Sequence, residues 1–186
     1  KSLENLGLTV YYLANPTDLD GMYAELETVG KLTGKEAQAE ALIPTLKARV
    51  DAVTSKLAQV KTHPSVYYEL DATDPTKPWT SGPGTFVDKL ITLAGGQNVG
   101  SDLKDTWAQI SAEAVIAKNP QVILLGDAAY GTTPQSVVER PGWNVISAVK
   151  NNRVLTFDDN LVSRPTPRLV DGLETLAKLI HPEAFQ

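Results

Sequence analysis

Three aromatic residues and one cation lie in polar stretches rather than in apolar runs: Trp79, Trp107, Tyr130 and Arg164. An indole so placed either anchors its own loop or offers a flat wall to a large ligand, because its face contributes area and stacking at little entropic cost. Arg164 stands between Ser163 and Pro165 with no acidic neighbour, and its guanidinium fork could hold a carboxylate or phosphate or cap a loop. Trp143, in the corner Pro141-Gly142-Trp143, reads as core. Glu113 falls in the first turn of an expected helix, where the dipole favours an anion in any protein. The case for catalysis is thin, since the sequence has no G-x-S-x-G elbow, P-loop, H-E-x-x-H or cysteine. His63 and His181 each precede a proline at an expected helix end, without the convergent partners of a metal or acid/base site. Gly82-Pro83-Gly84 could present amides to an anion but reads as a turn ahead of a helix.

The 186 residues suffice for a substantial core, in one domain or one domain plus part of another. A net charge of -5 and no visible clustering of Lys and Arg argue against nucleic acid as a partner. No apolar run reaches the about 18 residues that would span a bilayer, and no charged-then-apolar leader opens the chain. It begins with Lys, as a processed or truncated form would. The lack of cysteine rules out disulfides and thiolate metal sites within these residues and leaves the compartment open.

The longest element that must position these residues is a helix over Thr33–Lys61. Ala39, Leu42, Ile43, Leu46, Val50, Val53, Leu57 and Val60 form one apolar stripe, and Lys47, Arg49, Asp51, Lys56 and Gln59 fall between them. Thr33 with Glu36 fits a capping box, His63-Pro64 a stop, and Pro44 a bend near Leu42. At 1.5 Å per residue the helix would reach roughly 40 Å. Ahead of it, Gly7 closes a short helical tail, Leu8–Leu13 reads as a strand, Asn15–Asp18 as a cap, and residues 19–30 as a first helix.

From Ser65 onward strands and helices alternate. Ser65–Leu70, Asn98-Val99, Val122–Leu125 and Arg153–Phe157 are predicted strands; Phe86–Ala94, Ser111–Lys118, a segment from Pro134, a short helix to Val149, and Arg168–Ile180 are predicted helices. The unbroken run Val122–Leu125 suits a parallel strand buried on both faces. Such an order predicts an α/β fold, a parallel sheet flanked by helices on both faces, preceded by the long helix. Ligands bind beyond the carboxyl ends of parallel strands, so the loops expected to carry Trp79, Trp107, Tyr130 and Arg164 would gather on one rim. A doubly wound enzyme or sensor module with the same strand-end cleft is the alternative.

Several of these motifs together resemble a known family. Trp107-Ala-Gln-Ile-Ser-Ala-Glu113, running through Val115–Pro120 into Val122–Leu125, looks like the C-terminal lobe of the binding proteins that serve ABC importers of cobalamin, ferric siderophores and haem. Trp79-Thr-Ser-Gly-Pro-Gly84, Leu93–Asn98, Pro141–Trp143 and Arg164-Pro-Thr-Pro-Arg168 follow in the same order, and Gly30–Gly34 resembles the junction into that family's backbone helix. The resemblance implies a Rossmann-like ligand-binding lobe over 64–186, a helical linker over 17–63 that struts two lobes, and a remnant of the N-terminal lobe over 1–16. It further implies that Trp107 lines the cleft, Trp79 stands at its mouth, Arg164 faces the ligand and Glu113 docks on the membrane permease. The implied role is capture of a small-molecule metal complex without catalysis or cofactor, in the periplasm or outside the cell, with the full-length form lipid-anchored in some members. The upstream anchor cysteine of Gram-positive members does not occur in this sequence. The segment Leu8–Leu13, as an orphan strand, could pair with a second copy to give a swapped homodimer.

Overall fold

A computed structural model describes residues 3–186, and its centre is strand β1 (Ser65–Asp71). Because side chains alternate across a strand, Val66 and Tyr68 enter one hydrophobic cluster while Tyr67 enters another on the opposite face. Strand β5 (Val122–Leu125) divides the same way, with Val122 and Leu124 on one side and Ile123 and Leu125 on the other. A strand buried on both faces needs apolar residues throughout, which is why the run at 122–125 is unbroken. β1 pairs in parallel with β5, and β5 with β6 (Val154–Thr156). The short β3 (Gln97–Asn98) joins the first residues of β1, also in parallel.

The other edge departs from an all-parallel sheet. β2 (Trp79–Ser81) lies antiparallel to β1, and β4 (Trp107–Gln109) antiparallel to β2, giving the order β4-β2-β1-β5-β6. Helices cover both faces. On one side α3 (Phe86–Leu93) and α7 (Arg168–Ile180) pack with α2 (Glu36–Leu57), and on the other lie α4 (Ala112–Lys118), α5 (Pro134–Val138) and α6 (Ser147–Lys150). Leu169, Leu173, Leu176 and Ile180 form the buried stripe of α7, and Trp143 is buried as core.

The first helix, α1 (Leu19–Thr33), starts at Asp18, whose carboxylate accepts from the Gly21 amide at 2.8 Å. It continues past Gly30 to Thr33, and the long helix opens at Glu36 rather than Thr33. Thr33 does not cap it, because its hydroxyl donates to the Val29 carbonyl of its own helix at 2.7 Å while Gly34, at φ 67°, turns the chain. α2 ends at Leu57, leaving the chain to unwind toward β1; its 22 residues span about 33 Å. Ile43, Leu46 and Val53 are buried in the cluster shared with α3 and α7.

Arg49 of α2 donates to Glu174 at 2.8 Å and to Asp171 at 2.6 Å, both on α7. Each buried Leu, Ile or Val side chain contributes roughly 1.5–3 kcal/mol and a partly exposed ion pair about 1 kcal/mol or less, so the apolar stripe holds α2 in place. The pair adds a pH dependence. Hydrogen bonding from Arg49 holds the Glu174 carboxyl below the usual range, so its stabilisation is present above the unfolded carboxyl value of about 4.3 and fades as pH falls through the folded value. Arg49→Met should therefore cost about 1 kcal/mol or less at neutral pH and flatten the loss of stability on acidification. Urea unfolding of both proteins at neutral and acidic pH measures it, and parallel acid losses would show the pair to be inert.

The strand expected over Leu8–Leu13 is not formed. After a short 3-10 turn at Glu4–Leu6 closed by Gly7, these residues are exposed and irregular, with Tyr12 at 84%. A strand needs a neighbour to take its backbone hydrogen bonds, and none of the edge strands β3, β4 and β6 pairs with this segment.

Candidate functional site

Beyond the carboxyl ends of β1 and β5 lies a cavity of about 920 Å³ bordered by Asp71, Trp79, Asp127, Tyr130, Arg140 and Asp159. Trp79 reaches it because the antiparallel register sets it opposite Asp71, the last residue of β1. It therefore opens a strand rather than riding a loop, and it is 41% exposed. Tyr130 ends a 3-10 turn, Gly126–Tyr130, that leaves β5 directly, and the residue is 89% exposed. Two aromatics with this much free surface beside one cavity have ring area to give to a ligand.

Asp127 sits deeper, in the same turn. Its Oδ2 accepts from the Ala72 amide at 3.1 Å and from the Thr132 hydroxyl at 2.7 Å, whereas Oδ1 is buried and has no hydrogen-bond partner. Gly126 beside it lets Tyr68 through: a Cβ there would collide with the tyrosine hydroxyl, which donates to Asp159 at 2.5 Å. One glycine thereby allows a buried β1 residue to fix a carboxylate on the loop after β6.

Strand alternation sends Glu69 to the opposite face from Tyr68. It is completely buried there and accepts both terminal nitrogens of Arg140, at 2.5 and 2.8 Å. Burial outweighs the guanidinium and pushes the Glu69 carboxyl above the usual carboxylate range. Arg140 also stacks over the Trp143 ring, 4.6 Å from its centroid, and the Trp143 ring stands edge-on to Tyr67 at 6.2 Å.

The other sequence candidates lie outside this cavity. Trp107 opens the edge strand β4, opposite Ser81, so it shares a sheet face with Trp79 on the adjacent strand, two residues out of step. It is 41% exposed. Buried Asn98 stiffens that edge, donating to the Ser81 carbonyl at 3.0 Å and to Asp88 at 2.9 Å, and the Gly82 amide donates to the Thr106 carbonyl at 2.8 Å. Arg164 is exposed in the loop between β6 and α7. Glu113 is exposed in the first turn of α4, behind Ser111, whose hydroxyl accepts from the Ala114 amide at 3.2 Å. Its own amide and the Ser111 hydroxyl hold the Glu113 carboxyl below the usual range. Both histidines serve structure: His63 Nδ1 and His181 Nε2 each contact the Gly95 carbonyl, at 3.0 and 3.2 Å.

Sequence reasoning missed Asp127, Arg140, Asp159 and Glu69. Two signals were available: Asp127 follows directly on an apolar parallel strand, and Glu69 is an acid inside an apolar run, which demands a buried cation. Among the described residues, no group of three or more His, Cys, Asp or Glu is arranged to hold a metal ion, and no helix is long and apolar enough to cross a membrane.

A sheet covered on both faces, a long helix along one of them and an aromatic-edged cavity at the strand ends define an α/β unit with a strand-end cavity. The chain belongs to the periplasmic binding protein family, whose profile matches residues 3–161. It is 31% identical to an ABC transporter substrate-binding lipoprotein of Bacillus subtilis over 100% of this chain and 58% of that protein. It is 29% identical to a cobalamin-binding protein of Halobacterium salinarum over 96% of this chain and 49% of that protein. The chain thus spans about half the length of these curated relatives. Among solved structures it is similar to a possible iron-binding periplasmic solute-binding protein from Staphylococcus epidermidis, with a TM-score of 0.84 and 29% identity, covering 97% of this chain and 69% of that one.

Proposed function

We propose that this chain is the C-terminal lobe and linking helix of the solute-binding component of an ABC importer, which captures cobalamin or an iron complex, siderophore or haem, and delivers it to the membrane permease. The observation that carries the reading is the pair of exposed aromatics, Trp79 and Tyr130, set beside a strand-end cavity in a member of this family. In this reading residues 64–186 form the ligand-binding lobe, 17–63 the linker with its strut α2, and 1–16 the last part of an N-terminal lobe. Trp79, Trp107, Tyr130 and Arg164 contact the ligand, with Trp107 on the β4 edge and Arg164 in the loop after β6 engaging where the second lobe closes over the cavity. Glu113 faces the permease. The full-length protein works outside the cytoplasmic membrane, lipid-anchored as the Bacillus subtilis relative is named to be, and it performs no catalysis.

Affinity in such a protein comes from burying a large ligand between two walls, so one lobe alone should bind weakly. The test uses the full-length protein. Titration with cyanocobalamin, haem and ferric siderophores should quench tryptophan fluorescence for at least one of them. Trp107→Ala should weaken that complex about tenfold or more, as loss of an interface aromatic does. Unchanged affinity would remove Trp107 from the cleft, and no response to any of these complexes would overturn the transport reading.

A further inference from the structure

We infer that this lobe selects an uncharged or cationic complex presenting N–H donors, such as an amide-bearing ligand, and discriminates against polyanionic ones. The inference rests on the transport reading and narrows its ligand class. The residues bordering the cavity include three aspartates, Asp71, Asp127 and Asp159, and a single basic residue, Arg140. That cation is already neutralised, because two of its N–H donors form a bidentate pair with buried Glu69 and its plane lies over Trp143. With Glu69 and Arg140 cancelling, the cavity presents three acidic side chains without a free cation among its border residues.

Asp127 gives this charge a direction. Asp127 is only 4% exposed, Oδ2 accepts from Ala72 and Thr132, and Oδ1 lacks a partner. A buried carboxylate oxygen left without a partner accepts from any donor that reaches it, an ordered water or a ligand N–H, and repels an anion brought alongside. Asp159 is likewise an acceptor, already oriented by the Tyr68 hydroxyl. Trp79 and Tyr130 supply faces that suit a flat or bulky complex of any charge, and Arg164, exposed outside this cavity, is one cation against three carboxylates, so the carboxylates set the preference. Haem propionates or a tris-catecholate would place anions against these groups, and like charges brought together in a partly desolvated site oppose binding strongly.

Four probes on the full-length protein test this by fluorescence titration: cyanocobalamin, ferrioxamine B, ferric enterobactin and haem. At least one of the first two should bind about tenfold or more tightly than both of the last two. Equal or tighter binding of either anionic probe overturns the inference and leaves the transport reading standing. Silence from all four overturns both. The exposed Asp71→Lys variant, whose fold can be verified by its far-ultraviolet spectrum, should narrow the preference between ferrioxamine B and ferric enterobactin by about fivefold or more. An unchanged ratio would show that the cavity does not read charge and would equally sink the proposal.

Discussion

Arg140→Met should destabilise the protein by roughly 3–5 kcal/mol at neutral pH, because it leaves Glu69 as an uncompensated charge within the core. The wild-type pair contributes far less than that figure in net terms, since taking two charges out of water offsets most of their attraction. Removing one partner exposes the cost that the other was offsetting. The pH dependence of the variant follows with a definite sign. Burial already raises the folded Glu69 carboxyl, and losing the guanidinium raises it further. A carboxyl raised in the folded state contributes stability below its unfolded value of about 4.3 and loses it as pH rises through the folded value. Arg140→Met should accordingly regain stability on mild acidification, whereas the double variant Glu69→Met/Arg140→Met should sit within about 1–2 kcal/mol of wild type and show no such gain. Urea unfolding of the three proteins at neutral and mildly acidic pH decides it. If the single variant lost under about 1 kcal/mol and ignored pH, Glu69 would have to be hydrated in solution.

That ion pair also shows where reading the sequence runs out. Glu69 and Arg140 are 71 positions apart, and only the alternation of β1 together with the turn after α5 brings them face to face. Strong local patterns carried across intact: Val122–Leu125 is a doubly buried strand, and the α7 stripe is apolar at the expected positions. Elements specified by partners did not. Three-residue edge strands such as β2 and β4 have too little sequence to announce themselves, so Trp79 and Trp107 looked like loop residues until pairing with β1 and with each other's strand defined them. Leu8–Leu13 has the apolar, aromatic texture of a strand but finds no edge to join. Thr33 had a choice between capping the next helix and bonding within its own, and the left-handed Gly34 settled it for the second. For the site, the aromatic rim was legible as residue types, while the acidic floor was not. Asp127 and Asp159 become neighbours of one cavity only through the order of β5 and β6 in the sheet.

Glu113→Arg, in the full-length protein, should leave ligand affinity unchanged and abolish stimulation of the transporter's ATPase, if Glu113 docks as proposed. The geometry makes the two outcomes separable. Glu113 is fully exposed, on α4, and it is absent from the cavity bordered by Trp79 and Tyr130. Its carboxyl is held below the usual range by its own amide and the Ser111 hydroxyl, so it stays ionised at any physiological pH and offers a fixed anion to a basic partner. Reversing that charge puts like charges opposite each other across the docking surface, which acts on association rate and on partner discrimination more than on folding. Glu113→Gln, which removes the charge without creating repulsion, should fall between wild type and the reversal, and raising the salt concentration should narrow the gap between wild type and Glu113→Gln. Measurement requires the reconstituted transporter with saturating ligand, alongside a fluorescence titration of each variant alone. Undiminished stimulation by Glu113→Arg would remove Glu113 from the permease contact, and a loss of ligand affinity would place it in the cleft instead.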